Sequence, residues 1–480
     1  MQQHGQSPRK RKLVLYFTYG LMTAAVALIS TICILLVLGY RFDLKNGDVE
    51  QGSLLQFRSF PAGATITLDQ EVMSFVTPGK KNVAVGKHNV NMRLDGYHQW
   101  QKDFTVKPSE LRWLNYARMI PTNLRTSIVK EFPSVVDELP SPDKKWMLML
   151  QHADRAEFTL VDLRDQDKPV FSELRLPVGS YTTREGQKHA FRLVEWDFGA
   201  RYILVKHVIG DTTEYLRIDR TDVANTVNIS TKLGVAPDDI HFSGTSGTVY
   251  YALEKGLLRK LDSGAGTISE PIVRDVASFR IYKTNTLGYV KMAVENKVGV
   301  GIVVNNNAKR VATYDSTLPV LIDLNEYFND YYFAVARGNS VEVFKDPESD
   351  NNRRKIAAHV SPSAIAWLRF GNSGRFVVSG NGSQFMTYDV ETDEKFDVNL
   401  PGTALDATKP LQWLDDYYMV SAADNDLRLT EFDGGNQHVI ASALPGYAVT
   451  LNENGRLLYS LTKTQSGTTA LQVTKMTTND

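Results

Sequence analysis

Cysteine is almost missing from this chain: Cys33 is the single one in 480 residues. That excludes an internal disulfide framework and any cysteine-ligated metal centre, so the chain folds on its apolar core alone. Net charge is missing too. The 54 Lys and Arg balance 54 Asp and Glu, and a neutral chain lacks the electrostatic footprint of a nucleic-acid binder. Catalytic signatures are absent as well: there is no His-Glu-x-x-His, no Gly-x-Ser-x-Gly, no phosphate loop and no dinucleotide fingerprint. The nine histidines are scattered, with no two at ligand spacing. No metal and no cofactor is therefore expected, and each histidine reads as a surface or turn residue. Beyond Arg125 the chain shows almost no helical periodicity, which leaves short strands and turns to the end of the chain.

What is present begins with an uncharged run from Leu13 to Tyr40, preceded by Arg9, Lys10, Arg11 and Lys12. About 20 apolar helical residues cross the hydrocarbon core of a bilayer, so this run spans it with room for tilt. The far flank mixes Arg41 and Lys45 with Asp43, Asp48 and Glu50. That asymmetry places residues 1–12 in the cytoplasm and everything after residue 40 on the other side. The competing reading is a cleaved signal peptide, since Ala25-Val26-Ala27 is a small-x-small triplet. It lies inside the run with further apolar residues behind it, so the expectation is an uncleaved anchor over residues 13–40. Cys33 follows Ile32 rather than a small residue, and reads as an apolar filler of the helix rather than a lipid attachment site. A large exported portion without disulfides fits a bacterial cell envelope.

Residues 41–54 read as a short polar stalk, and residues 55–120 as a small antiparallel β-sandwich half buried on one face. Alternation of apolar and polar residues runs through 63–69, 81–85 and 88–94, each stretch bounded by Gly, Pro or Asp. Four landmarks then occur in order: Ser59-Phe60-Pro61-Ala62-Gly63-Ala64-Thr65-Ile66-Thr67-Leu68-Asp69, Thr77-Pro78-Gly79, Gly86-Lys87-His88-Asn89-Val90 and Asp95-Gly96-Tyr97. Together they resemble the PEGA domain, a small β-sandwich of bacterial and archaeal surface proteins. The match departs from the family at Ala62, where glutamate is usual, and at Gln70, where a turn glycine is common. The resemblance implies a structural role, with no catalytic residues to carry over.

Residues 121–125 read as a linker, and residues 126–480 repeat. An aromatic or branched strand opens at Trp146, Tyr202, Val249, Leu287, Tyr331, Phe376, Tyr417 and Leu457, a mean spacing of about 44 residues, the size of a four-stranded propeller blade. The turns Ser141 to Lys145, Asn372 to Arg375 and Asn452 to Arg456, and third strands such as 158–163, 384–389 and 427–432, resemble those of WD40-like and TolB-like blades. The fold expected is all-β behind one transmembrane helix: a sandwich, then a β-propeller of eight blades, with seven as the alternative count. Its ring would close by pairing 128–131 with 471–474, leaving no open edge.

Candidate site residues are few. Trp196, Trp367 and Trp413 sit at or near the ends of first strands, which line a propeller's channel, and are candidates for stacking on a sugar ring; packing between blades is the competing role. The acidic pairs Glu195 with Asp197, Asp238 with Asp239 and Asp415 with Asp416 also fall near strand ends. Acids there serve either a glycosidase or a calcium site, or simply satisfy backbone donors in turns. The functional expectation is a non-enzymatic binding or scaffold protein of the cell envelope, with an envelope protein or cell-wall glycan as partner. The alternative is a propeller enzyme acting on cell-wall glycans.

Overall fold

The computed structural model describes residues 8–37, 40–42, 49–165, 168–400, 405 and 411–478. They form two compact units, Met1–Asn123 and Leu124–Asp480. The first begins with a helix, Pro8–Val37, of which Leu15–Leu35 is long and apolar enough to cross a membrane. Leu15, Phe17, Leu21, Leu28 and Ile29 are all exposed, so no protein core covers this apolar surface. The hydroxyls of Thr23 and Thr31 donate to the carbonyls of Tyr19 and Ala27 one turn earlier, both at 2.9 Å. An apolar surrounding requires such internal satisfaction.

Residues 38–39, at the end of the expected anchor, and 43–48, within the expected stalk, lie outside the described residues. Tyr40, expected in the helix, instead opens a strand, Tyr40–Phe42, that pairs antiparallel with the start of Val49–Phe60. The stretch read as a stalk is therefore in part sheet. Apolar residues at alternate positions of Val49–Phe60 are buried from Leu55 onward, and the strand's early half continues the same ladder toward the helix.

The sandwich has two four-stranded sheets. One is antiparallel throughout, in the spatial order Glu71–Val76, Thr65–Leu68, Gly86–Arg93, Trp100–Val106. The other is built on Val49–Phe60, which takes Gly79–Ala84 antiparallel on one side and Leu111–Arg118 parallel on the other. The parallel pair departs from the all-antiparallel expectation. The whole first sheet intervenes between the two strands and acts as the crossover that a parallel pair needs. Leu55, Phe57, Ile66, Val90, Met92, Trp100 and Leu114 fill the space between the sheets.

A polar clip fixes the sandwich's proline turns. Thr77 is buried, and its Oγ1 accepts from the backbone N–H groups of Gly63 (3.1 Å) and Ala64 (2.9 Å) while sharing a 2.6 Å hydrogen bond with Ser59. The departure at Gln70 also has a structural meaning. Asp69 and Gln70 form a two-residue hairpin turn with φ of 48° and 72°, so Gln70 holds the left-handed conformation that glycine adopts freely.

The second unit is a closed propeller of eight four-stranded sheets. The first strands of blades 1 to 8 are Asp137–Pro140, His189–Trp196, Asp239–Phe242, Val276–Lys283, Val320–Tyr327, Trp367–Phe370, Gln412–Trp413 and Thr450–Leu451. Every aromatic or branched run singled out in the sequence is a second strand, from Trp146–Leu150 to Leu457–Lys463, and all five residues of Trp146–Leu150 are buried. Buried clusters straddle neighbouring blades; Leu148, Phe158 and Leu174 of blade 1, for example, meet Phe191, Ile203 and Leu216 of blade 2. Blade 8 takes its outer strand from the start of the unit: Arg125–Phe132 pairs antiparallel with Thr469–Lys475. Leu471 faces Lys130 and Gln472 faces Ile128 across a bulge, which is the closure expected from the sequence.

Two stability predictions follow from the sandwich. Thr77→Val keeps the volume but leaves the Ala64 N–H without its acceptor, and should destabilise the sandwich by about 2 kcal/mol in urea denaturation. Gln70→Gly relieves the left-handed turn and should stabilise it by up to about 1 kcal/mol; an unchanged or lower midpoint would contradict the turn assignment.

Candidate functional site

Turn chemistry sets where the inner strands end. In blade 2 the buried Asp197 accepts from the backbone N–H groups of Gly199 (3.2 Å), Arg201 (2.7 Å) and Tyr202 (2.7 Å), closing the turn after the first strand. Asn452 in blade 8 accepts from Arg456 and Leu457, and Asp415 in blade 7 from Tyr417 and Tyr418. Third strands end on a similar device: Asp219 and Asp389 each accept from a backbone N–H two residues on and pair with Arg201 and Arg375. Asp197 and Asp415 are therefore turn formers, as acids in such positions commonly are.

With the turns fixed, the ends of four consecutive inner strands enclose a cavity of about 400 Å³. Blade 1 contributes Leu139, Pro140 and Pro142, blade 2 Glu195, Trp196, Asp197 and Phe198, blade 3 His241 and Phe242, and blade 4 Arg280 and Ile281. The wall is thus mostly apolar and aromatic with a few polar groups, the usual make-up of a ligand pocket.

Its polar centre is His241. Nδ1 lies 2.8 Å from Glu195 Oε2 and Nε2 lies 3.3 Å from Asp239 Oδ1, so carboxylates of blades 2 and 3 hold one imidazole from both sides. Burial opposes its charge, but the two carboxylates outweigh it and push the pKa up to about 10. His241 is accordingly an imidazolium at neutral pH, a fixed cation rather than a base. Asp239 is desolvated as well, yet its contact with His241 leaves it below the usual carboxylate range. The other oxygen of Glu195 accepts from the Phe242 N–H at 2.6 Å.

That last contact recurs around the ring. Asp137 accepts from the Leu193 N–H (2.9 Å), Asp323 from Phe370 (2.7 Å) and Gln412 from Val449 (2.9 Å), each joining one inner strand to the next. Burial raises the pKa of Asp137 and Asp323, partly offset by these same hydrogen bonds. Asp137, Glu195 and Asp323 are thus occupied in joining neighbouring blades.

The three tryptophans are placed apart. Trp196 lines the cavity and is buried, its indole N–H donating to Leu139 O of blade 1 at 2.9 Å. Trp367 is buried in the cluster between blades 6 and 7. Trp413 is half-buried and stacks on Phe376, with ring centroids 6.0 Å apart. All three make inter-blade contacts, and Trp196 alone of the three also faces the cavity.

Linear spacing concealed the histidine chemistry. Besides His241, the structure joins His189 Nδ1 to His207 Nε2 at 2.8 Å, and His207 Nδ1 to Glu214 at 2.8 Å. His207 and Glu214 face each other across a hairpin of blade 2, a relation visible only once strand register is known. Glu214 also accepts from the Thr182 N–H and hydroxyl and from Asn228, which ties the loop after blade 1 to the sheet. Desolvation works against its charge, but His207 and the other donors prevail and bring its pKa down to about 2. Among the described residues no group of three or more His, Cys, Asp or Glu is arranged to hold a metal ion.

Residues 53–119 match the PEGA domain family. This part of the chain is a PEGA domain. The clipped proline turns and the Asp69-Gln70 hairpin described above are thus features of the PEGA fold in this chain. No curated protein matches this chain. Among solved structures it is similar to an oligogalacturonate lyase in complex with manganese, at 10% identity and TM-score 0.39, over 73% of this chain and 99% of that one. It is likewise similar to Hsv2 of Kluyveromyces lactis, at 11% and 0.38 over 71% and 97%, and to a chain of the mitotic checkpoint complex, at 11% and 0.33 over 77% and 95%. Likeness at that level carries nothing about activity.

Both ionised networks predict pH effects of opposite sign. Glu214 has a folded pKa depressed from 4.5, so its contribution is present above pH 4.5 and lost as pH falls toward 2. Glu214→Gln should destabilise the propeller by on the order of 3 kcal/mol at pH 7, with the gap to wild type narrowing in denaturation runs below pH 4.5. His241 has a folded pKa raised from 6.5, so its contribution is full below pH 6.5 and fades as pH rises through about 10. His241→Gln should therefore cost most stability at pH 6 and least above pH 10, and a constant difference across that range would contradict the assignment.

Proposed function

We propose that this chain is a single-pass membrane protein of the bacterial cell envelope, its amino terminus in the cytoplasm, that displays the PEGA domain and the propeller outside as a binding or scaffold protein. The helix anchors, and the propeller offers a rigid pocket made of inner-strand ends. The observation that carries this reading is the cavity shared by blades 1 to 4, with its aromatic wall and with Glu195, His241 and Asp239 already joined to one another. Rigid, pre-formed pockets of this kind suit recognition.

The alternative is hydrolysis of cell-wall glycans, for which two carboxylates from different blades now meet at one place, Glu195 and Asp239. Such chemistry needs one carboxyl that stays protonated to donate to the leaving group. Asp239 is shifted the other way, and Glu195 has both oxygens occupied by His241 and the Phe242 N–H. Binding is the better-supported reading for that reason.

A photo-reactive amino acid in place of Phe198, whose side chain is exposed at the cavity, tests it in intact cells. The expected result is a discrete cross-linked envelope protein or glycan, absent when the same group is placed at exposed Val439 on the outer strand of blade 7. Equal labelling from both positions would overturn the reading. Release of soluble sugars from purified cell-wall glycan by the full chain would replace it with the enzyme.

A further inference from the structure

Four charged side chains line the cavity, and three of them are engaged: Glu195 and His241 with each other, Asp197 with its turn. Arg280 is the fourth. Its side chain is exposed at the cavity wall and makes no hydrogen bond or ion pair among the described residues. On the inner strands of blades 5 and 6 follow Asp323, already accepting from the Phe370 N–H, and Arg369, whose Nη1 donates to Leu368 O at 3.0 Å. Arg369 is itself desolvated and feels the repulsion of Arg280, both of which lower its pKa. Two guanidiniums carry about ten N–H donors between them, and among the described residues one such hydrogen bond is made. The channel wall beside the cavity therefore has guanidinium donors in excess of acceptors, which an acceptor-rich group would satisfy, although Arg280 acts through space on Asp239 and Asp323, and Arg369 on Asp323, so that the positive charge there is balanced.

Size and neighbours narrow the anion. A cavity of about 400 Å³ takes a group the size of an amino acid with its side chain. Trp196, Phe198, Phe242 and Ile281 give that group an apolar surrounding. The nearby carboxylates Glu195 and Asp239 disfavour a dianion more than a monoanion. A planar two-oxygen acceptor matches the guanidinium fork. We propose that the cavity binds a carboxylate carried on an apolar or aromatic body, the chemistry of a peptide's C-terminal residue, with Arg280 as its bidentate clamp and Phe198 against its apolar part. This assignment rests on the cavity being the protein's binding surface.

Saturation-transfer NMR on the detergent-solubilised full chain tests it with three probes: N-acetyl-phenylalanine, its amide, and phenyl phosphate. The acid should bind at least about tenfold more tightly than the amide and more tightly than phenyl phosphate. Arg280→Gln, at an exposed position that leaves the fold intact, should bring the acid down to the level of the amide. Arg280→Lys, which keeps the charge and loses the fork, should fall between them. Equal binding of acid and amide, stronger binding of the phosphate, or an acid preference that survives Arg280→Gln would each overturn the proposal. Amide binding that Phe198→Ala removes would show that the ligand class failed while the binding surface stands. Failure of all three probes overturns the proposal too, and combined with the absence of a specific cross-link at Phe198 it would remove both.

Discussion

The propeller depends on one ladder of hydrogen bonds, between the first strand of the unit and the last. Each blade buries its faces against two neighbours, so an open array would leave an apolar face at either end. Pairing Arg125–Phe132 with Thr469–Lys475 makes blade 8 a four-stranded sheet and brings it against blade 1. Phe132, Val135, Met147 and Met149 then share a buried cluster with Leu457, Tyr459 and Leu471, and the Tyr447 hydroxyl donates to Val135 O at 2.6 Å across the seam. The cavity inherits its rigidity from this closure, since its wall is the inner strands of a ring that cannot splay.

Inside the ring the same polar residue types do two jobs. Where a carboxylate meets a backbone N–H of the next blade it acts as a latch, as Asp137, Glu195 and Asp323 do. Desolvation alone would make such acids costly, and the N–H donors offset that cost. Arg280 stands outside this pattern: it has donors and no hydrogen-bond acceptor among the described residues, and its charge acts on Asp239 and Asp323 through space.

The fold was largely legible in the sequence. Trp146, Tyr202, Phe376 and Leu457 announce second strands because a strand buried on both faces needs a continuous apolar run, and the Asn and Asp turns before them are local chemistry. The PEGA domain was legible for the same reason, in Pro61, Gly63 and Gly96, whose backbone roles are local. What was hidden is whatever depends on register across strands or between blades. Glu195 drew notice as an acid near a strand end, but His241, 46 residues on, meets it only through the stacking of blades 2 and 3. His207 and Glu214 pair only once the hairpin is in register. The parallel placement of Leu111–Arg118 was hidden similarly, since alternation is the same for either strand direction.

The closing ladder has a consequence in time. Thr126 and Thr474 share a 2.9 Å hydrogen bond across a sequence separation of 348 residues. Contacts so far apart in sequence form slowly, because their loop-closure entropy comes before their reward. During synthesis, Arg125–Phe132 is made first among the propeller's strands and its partner last. An unpaired strand that waits so long is a template for wrong pairing. Its Arg125, Lys130 and Glu131 put charge on that strand, and charged side chains are the kind that blunt an open edge.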